Sequence, residues 1–314
     1  MILPRIIIGA ALALAVAAPA QAASDTVVAT TARPTPLAAG GGHVLYSAWD
    51  GTSYRLTEVG SGPLPIEGSP HPFRVDIGRN ADDHAVAVYP RCTDDDGCDL
   101  YMYDLETKRE TRLSHASSPT DDEVAGAVWR DKLVFARLYD RANGPPRGVL
   151  YMRSLSHPRQ RSVRLANQRA HSIDVRGTRV PFASVREWSR EPWLAWTNDQ
   201  GASRLTRVPG SGAAVDFLEG MNPTAYGSSI YWLYVRSGER HASEVHRYNR
   251  SLKRDERVPT AIPASASGFA YDAGAAYYAV PQNGPECRED TDCPTVIHRL
   301  DGLEFEKAPP IELH

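Results

Sequence analysis

Residues 85–114 read AVAVYPRCTDDDGCDLYMYDLETKRETRLS and place three strand-like segments in one short stretch. The apolar run AVAVYP is followed by an acidic loop between two cysteines, the run DLYMYDL, a polar turn and a closing segment, TRL. Short runs rich in Val and Tyr that are bounded by polar turn residues are typical of β-strands. The stretch therefore predicts an antiparallel meander.

The same arrangement recurs along the chain. Six apolar runs follow one another at separations of 41, 48, 47, 50 and 46 residues, beginning near Val44, Ala85, Leu133, Val180, Ile230 and Ala276. Most follow another short strand and a tight turn, as in AVWRDK before Leu133, and each precedes a third strand. Weaker fourth strands lie near residues 111–113, 162–165, 204–208 and 257–258. Four strands in about 45–50 residues is the repeat of a propeller blade. We predict an all-β fold, a six-bladed β-propeller of four-stranded antiparallel blades.

Two segments also permit a helical interpretation. Residues 128–143 and 239–258 lack Gly and Pro, and Trp129, Leu133 and Ala136 would share one helical face. Both segments align with repeats that Gly or Pro interrupts at the turns. The repeat therefore favours strands.

The N-terminus predicts export. Residues 6–18 are a continuous apolar run of 13 after a single charge at Arg5, and the tripeptide AQA at 20–22 matches a signal-peptidase site. A retained membrane anchor is the alternative, but the run is shorter than the roughly 20 residues that span a bilayer. We expect a signal peptide at 1–22, a linker or closing strand at 23–40 and one propeller at 41–314, in a secreted or periplasmic protein.

Residues 81–114 resemble the repeat of TolB-type periplasmic propellers: a polar turn, an apolar strand, a loop, DLYMYDL, another polar turn and a closing RLS. In the next repeat Val149 and Ser154 occupy the places of Asp99 and Asp104, so the specific motif covers about one repeat and the architecture covers most of the chain. The resemblance implies a mainly six-bladed ring that serves as an interaction platform. It transfers no functional residue.

Composition and motifs exclude several function classes. The net charge of -3 gives no basic excess for nucleic acid or an anionic membrane. The chain has no G-x-S-x-G, no H-E-x-x-H and no phosphate-binding Gly-rich loop, so we expect neither a catalytic serine nor a dedicated metal centre. One catalytic alternative remains open, a secreted glycan-active hydrolase or lyase that uses carboxylates at a central channel. Its candidates are Asp76, Asp174 and Asp216.

The four cysteines form two pairs of equal spacing. Cys92 and Cys98 bracket one polar loop, and Cys287 and Cys293 bracket another. This is the pattern of local disulfides in an oxidising compartment, whereas structural zinc sites usually have ligands two to four residues apart. We therefore predict two disulfides.

Both cysteine loops are acidic and connect the second and third strands of blades that flank the first, so we expect them on one face. Their candidate binding residues are Asp94, Asp95, Asp96, Glu289, Asp290 and Asp292. Three interpretations stay open: Ca²⁺ binding without an EF-hand register, contact with a cationic partner, or plain solvated hairpins. In the opposite sector, Trp188 between two arginines could stack on a sugar or peptide.

These observations together predict a monomeric, non-catalytic propeller that binds a protein or glycan ligand on its loop face. We expect no nucleic-acid partner, no stable membrane insertion and no cofactor other than the Ca²⁺ considered above. The identity of the ligand does not follow from the sequence.

Overall fold

A computed structural model of the chain describes residues 23–93, 97–140, 146–185, 192–199, 206–207, 224–227, 229–235, 243–249, 251–259, 262–263, 266–284, 287 and 291–308. Within these ranges every regular element is a β-strand, and the two segments that permitted a helical interpretation contain strands wherever they are described. No helix in the described ranges is long and apolar enough to cross a membrane.

The described strands follow one another in the order β1 (Ser24–Thr31), β2 (Leu37–Gly40), β3 (His43–Trp49), β4 (Tyr54–Glu58), β5 (Gly62–Pro63), β6 (Asp76–Asn80), β7 (Ala85–Thr93), β8 (Gly97–Asp104), β9 (Arg109–Arg112), β10 (Asp122–Arg130), β11 (Lys132–Tyr139), β12 (Arg147–Ser154), β13 (Val163–Ala166), β14 (Ala170–Ile173), β15 (Arg179–Val185), β16 (Pro192–Asn198), β17 (Thr206–Arg207), β18 (Thr224–Tyr226), β19 (Ser229–Val235), β20 (Ser243–Asn249), β21 (Arg254–Arg257), β22 (Gly268–Asp272), β23 (Ala275–Pro281), β24 (Thr295–Asp301) and β25 (Glu306–Lys307).

The apolar runs that define the repeat are second strands, and neighbouring sheets cover them on both faces. In β7 every residue from Ala85 to Tyr89 is buried. A strand that is buried on both sides has no polar face, so its sequence is continuously apolar. The core lies between adjacent sheets: one cluster joins Val134 and Leu150 to Val180 and Phe182.

The described strands form five sheets. Four of them are single blades: β2–β5, β14–β17, β18–β21 with β25 added at its edge, and β22–β24 with β1. The fifth sheet has eight strands, because the antiparallel meanders β6–β9 and β10–β13 are joined through a parallel pairing of β6 with β10.

Gly78 allows the two meanders to join. A Cβ atom at this position would lie 1.7 Å from the backbone carbonyl oxygen of Val128, which no side chain tolerates. With no side chain at Gly78, Arg79 and Asn80 pair with Trp129 and Arg130 of β10. The predicted all-β class is confirmed, but the prediction of six separate blades is wrong, because this close approach merges two of the repeats into one sheet.

The N-terminal strand closes the ring of sheets. β1 runs antiparallel to β24 on the outer edge of the sheet formed by β22–β24, from Ser24 opposite Asp301 to Thr31 opposite Thr295. The Asp25 carboxylate accepts a hydrogen bond from the Tyr278 hydroxyl at 2.7 Å. β2, which also lies in the stretch 23–40, is the innermost strand of the next sheet. The first described strand therefore completes the sheet of β22–β24, near the C-terminal end of the described chain.

Candidate functional site

A pocket of about 260 Å³ lies where the innermost strands of the meanders end. β2, β6, β10, β14, β18 and β22 each contribute to it at or just after their last residues, so it forms one end of the central channel. Its polar and aromatic lining consists of Arg79, Trp129, Asp174, Arg176, Thr224, Tyr226, Tyr271 and Asp272. A concave site that collects residues from every innermost strand is the best-formed candidate for ligand binding in the described part of the chain.

Asp174 is the buried carboxylate of the pocket. It follows β14, and its oxygens accept hydrogen bonds from the backbone N–H of Val175 at 2.5 Å and from that of Ala225 in β18. Burial raises its pKa to about 6, although these two donors and the charge of Arg176 act in the opposite direction. The carboxylate thereby joins the ends of β14 and β18.

Asp76 lies close enough to Asp174 for the two carboxylates to interact. The pKa of Asp76 is raised well above its usual value, first by burial and then by the negative charge of Asp174. Its Oδ2 atom is buried without a hydrogen-bond partner. Two of the three predicted channel carboxylates are thus brought together, and the third, Asp216, lies outside the described residues.

Arg176 is one of two arginines that line the pocket. It comes two residues after Asp174, and its guanidinium lies 5.2 Å from the ring centroid of Trp129 and 4.6 Å from that of Tyr226. These rings belong to the preceding and following meanders, and both contacts are within cation–π distance. The Tyr271 ring is stacked on Tyr231 with centroids 3.7 Å apart.

The pocket's two other charged side chains have partners. Arg79 donates to the carbonyl oxygen of Asp83 at 2.8 Å, and its guanidinium is 3.4 Å from the Asp83 carboxylate. Asp272 accepts a hydrogen bond through Oδ2 from the backbone N–H of Gly42 at 2.9 Å. Both contacts hold strand ends and turns in place around the pocket.

A neutral histidine lies at the beginning of β14. Burial lowers the pKa of His171 to about 4, and the charges of Arg169 and Arg74 lower it further. Its Nε2 atom is buried without a hydrogen-bond partner. At neutral pH this imidazole is therefore uncharged.

Both predicted disulfides are present, Cys92 with Cys98 and Cys287 with Cys293. Most of the predicted binding residues lie outside the described residues: Asp94, Asp95, Asp96, Glu289, Asp290 and Trp188. In the described part of the chain no cluster of three or more His, Cys, Asp or Glu side chains could hold a metal ion. Most of the residues suggested for Ca²⁺ lie outside that part.

Asp292 is the acidic-loop residue whose position is described, and it is engaged within the protein. Its Oδ1 accepts a hydrogen bond from Arg33 Nε at 2.7 Å. The Arg33 guanidinium lies 3.8 Å from the Trp49 ring centroid and donates to the Tyr54 hydroxyl at 3.3 Å. The second disulfide loop is thus attached to the sheet formed by β2–β5.

The disulfide loops and the channel pocket lie at opposite ends of the strands. The loops connect β7 to β8 and β23 to β24, the second and third strands of their meanders. The pocket lies where first strands end and turn into second strands. Because neighbouring strands are antiparallel, these two kinds of connection are on opposite faces. The sequence placed the candidate site on one face, whereas the described pocket opens on the other.

Four residues that line the pocket were not predicted from the sequence: Trp129, Arg176, Tyr226 and Tyr271. Each occurs just before the tight turn between first and second strands, in the segments AVWRDK, DVRGTR, TAYGSS and AYDAGA. Aligning the repeats on this turn brings large aromatic and cationic residues to one position. That alignment was the available signal, because the ends of the first strands converge on the channel.

No protein-family model and no curated protein matches the chain. The β-propeller domain of the Trilobed protease from Pyrococcus furiosus, described as having an open velcro topology, matches with a TM-score of 0.51 at 11% identity, over 87% of this chain and 82% of that chain. TolB from Acinetobacter baumannii matches with a TM-score of 0.48 at 13% identity over 81% of this chain, which spans 59% of its length. A putative TolB from Agrobacterium tumefaciens gives 0.47 at 12% identity, with 85% and 89% covered.

At these identities the likeness concerns the fold alone. The Pyrococcus furiosus domain supports the propeller arrangement of the sheets. The propeller fold implied by the resemblance of residues 81–114 is therefore confirmed, and membership of a particular family is not shown.

Proposed function

We propose that this protein is an exported, ligand-binding propeller whose ligand occupies the channel pocket. The observation that carries the proposal is that all six innermost strands converge on one pocket with a buried carboxylate, Asp174, and a cation held beside aromatic rings, Arg176. In a propeller the innermost strands surround one central channel, and a ligand site there is typically lined by a few polar groups that point toward the same point.

A variant that fills the pocket tests the binding function. Thr224 lines the pocket, and Thr224→Trp places a large ring there. Thermal shift with a panel of neutral sugars, amino acids, dipeptides and small carboxylates is expected to show stabilisation of the wild type that Thr224→Trp abolishes. Thr111→Trp, on the exposed face of β9, is the matched control. Equal stabilisation of wild type and Thr224→Trp by every active compound would contradict the proposal.

Export is supported by the two disulfides, which form and persist in oxidising compartments. The predicted signal peptide at 1–22 and its cleavage after Ala22 belong to the same proposal. We expect N-terminal sequencing of the protein recovered from the cell exterior or periplasm to begin at Ala23. Recovery of the chain from the cytosol with four free thiols would contradict export.

The acidic disulfide loops remain a proposed surface for a cationic partner. The position of both loops at the same end of their strands supports this use. Asp292 is already paired with Arg33, so the proposal depends on the residues between Cys92 and Cys98. Salt-dependent binding of an oligoarginine peptide, measured by fluorescence anisotropy, is expected to fall in the triple variant Asp94→Asn, Asp95→Asn, Asp96→Asn. Unchanged binding in that variant would remove this surface.

The interaction between Asp76 and Asp174 favours a second candidate, a glycan-active hydrolase or lyase. Two interacting carboxylates with raised pKa values are a recurrent feature of acid–base catalysis. Release of reducing ends from a polysaccharide panel by the wild type, and its loss in Asp174→Asn, would support this activity. No release from any member would favour the binding function.

A further inference from the structure

Arg176 is held in a fixed position at the channel pocket by its backbone and by two rings. Its backbone N–H donates to the Arg179 carbonyl oxygen at 3.0 Å, and the Arg179 N–H returns a hydrogen bond to the Arg176 carbonyl at 3.1 Å. The rings of Trp129 and Tyr226 lie beside its guanidinium. A guanidinium fixed in this way loses little conformational entropy when it binds a ligand.

The N–H groups of this guanidinium lack an acceptor in the described part of the chain. A guanidinium carries five N–H donors in a rigid planar fork. The pocket's other guanidinium, that of Arg79, is paired with Asp83. Arg176 is therefore the charged donor that the pocket offers to a ligand.

Each aromatic ring of the pocket already has a contact within the protein. Trp129 and Tyr226 contact Arg176, and Tyr271 is stacked on Tyr231. A sugar-binding site presents an open aromatic face to the sugar, and these contacts disfavour that use. A planar fork of N–H donors matches the two oxygens of a carboxylate instead.

One acceptor in the pocket is positioned for a second group of the ligand. Asp272 uses Oδ2 for the N–H of Gly42, and no hydrogen bond to its Oδ1 is recorded among the described residues. A volume of about 260 Å³ is slightly below the ~300–1,000 Å³ of ordinary ligand pockets, which indicates a small ligand.

Resting on the proposed function, we propose that the channel pocket binds a small hydroxy- or amino-carboxylate, with Arg176 bound to its carboxylate and Asp272 accepting a hydrogen bond from its hydroxyl or amino group. The buried carboxylate of Asp174 lies on the side of the pocket formed by the ends of β14 and β18, where its oxygens already accept two backbone hydrogen bonds. It therefore acts as part of the wall.

Isothermal titration calorimetry with lactate, malate, serine and aspartate, and with the corresponding amides as uncharged analogues, tests the ligand class. We expect the wild type to bind at least one acid and to bind its amide at least tenfold more weakly. Arg176→Ala and Arg176→Gln should each weaken binding of the acid roughly 10- to 100-fold, the range for loss of a charged hydrogen bond. Arg130→Ala, an exposed arginine at the same end of the channel, should bind like the wild type.

The variants separate this inference from the proposed function. Near-ultraviolet circular dichroism identifies any variant that does not fold, and Arg176→Gln retains most of the side-chain volume if Arg176→Ala fails. Binding that survives in both Arg176 variants and is lost in Thr224→Trp overturns the carboxylate assignment and keeps the pocket. Binding that survives in all three overturns both. Failure of every acid to bind overturns the carboxylate assignment.

Discussion

Asp174 contributes both to the fold and to the candidate site. Its carboxylate joins two strand ends through backbone hydrogen bonds and lies in the wall of the channel pocket. Burial raises its pKa to about 6 and so favours the protonated form in the folded state. The unfolded chain, with an ordinary carboxyl group, gives up this proton at lower pH.

This difference makes stability depend on pH in a defined direction. Because the folded-state pKa of Asp174 is above the unfolded value, its contribution to stability is complete below about pH 4 and is lost as pH rises through 6. Two pKa units correspond to ~3 kcal/mol. We expect Asp174→Asn to gain ~3 kcal/mol of unfolding free energy relative to the wild type between pH 4 and 7.

Urea denaturation at several pH values measures this gain. Glu304→Gln, which removes one negative charge from an exposed loop, is the control. A difference between Asp174→Asn and the wild type that stays constant from pH 4 to 7 would show that the carboxylate is not held in its protonated form by the fold.

Arg33 stabilises the second disulfide loop through two contacts, with Asp292 and with Trp49. Its partner Asp292 has a side chain that is 76% exposed, and such ion pairs contribute little, whereas stacking on Trp49 also buries the arginine stem. We expect Arg33→Ala to lower the unfolding free energy by about 1–2 kcal/mol and Asp292→Asn by less than about 0.5 kcal/mol. Equal losses in urea denaturation would show that the ion pair, and not the stacking, holds the second disulfide loop.

The meanders β6–β9 and β10–β13 are joined into one eight-stranded sheet. β6 and β10 approach so closely that the Gly78 position has no room for a side chain. The approach also pairs Arg79 of β6 with Trp129 of β10. Both residues line the pocket. The merged sheet therefore fixes one wall of the candidate site.

Gly78→Ala tests this junction. Its Cβ would overlap the Val128 carbonyl oxygen, a backbone atom that cannot move without breaking the pairing of β6 with β10. We expect a loss of more than about 3 kcal/mol in unfolding free energy. Gly60→Ala, at φ 81° with open space around the Cβ, should lose only about 1–2 kcal/mol through backbone strain. Similar losses for the two variants would contradict the role given to Gly78.

The strands were predictable from the sequence, and their joining was not. Runs such as AVAVYP predict a strand that is covered on both faces, because each residue of such a strand is buried and is therefore apolar. The pairing of β6 with β10 depends on one backbone approach at Gly78, and a glycine in a strand signals several different structures. The pocket is formed by strand ends from different repeats. The contacts of Arg176 with Trp129 and Tyr226 depend on how the sheets are arranged around the channel, which no local sequence pattern encodes.

β1 connects the first described residues to the sheet formed by β22–β24. Its eight residues cover the edge of β24, and its Asp25 contacts Tyr278 and His298. Without this strand, the edge of β24 would expose unpaired backbone groups, which promote association between molecules. The closure therefore contributes both stability and solubility.

A chain that begins at residue 32 tests the closure. We expect it to unfold at a lower urea concentration than a chain that begins at residue 23 and to form dimers or larger species in size-exclusion chromatography. Addition of a peptide covering residues 24–31 should restore the monomer and part of the stability, and a scrambled peptide should not. A monomer of unchanged stability without β1 would show that the ring does not depend on it.

The ligand is proposed to bind at the channel end where the innermost strands terminate. ¹H–¹⁵N NMR of the labelled protein, titrated with a mixture of lactate, malate, serine and aspartate, tests it most directly. The predicted result is that shift changes are confined to residues 39–42, 77–79, 129, 174–176, 224–226 and 271–273. Shift changes confined to the two disulfide loops on the opposite face, or none anywhere, would contradict it.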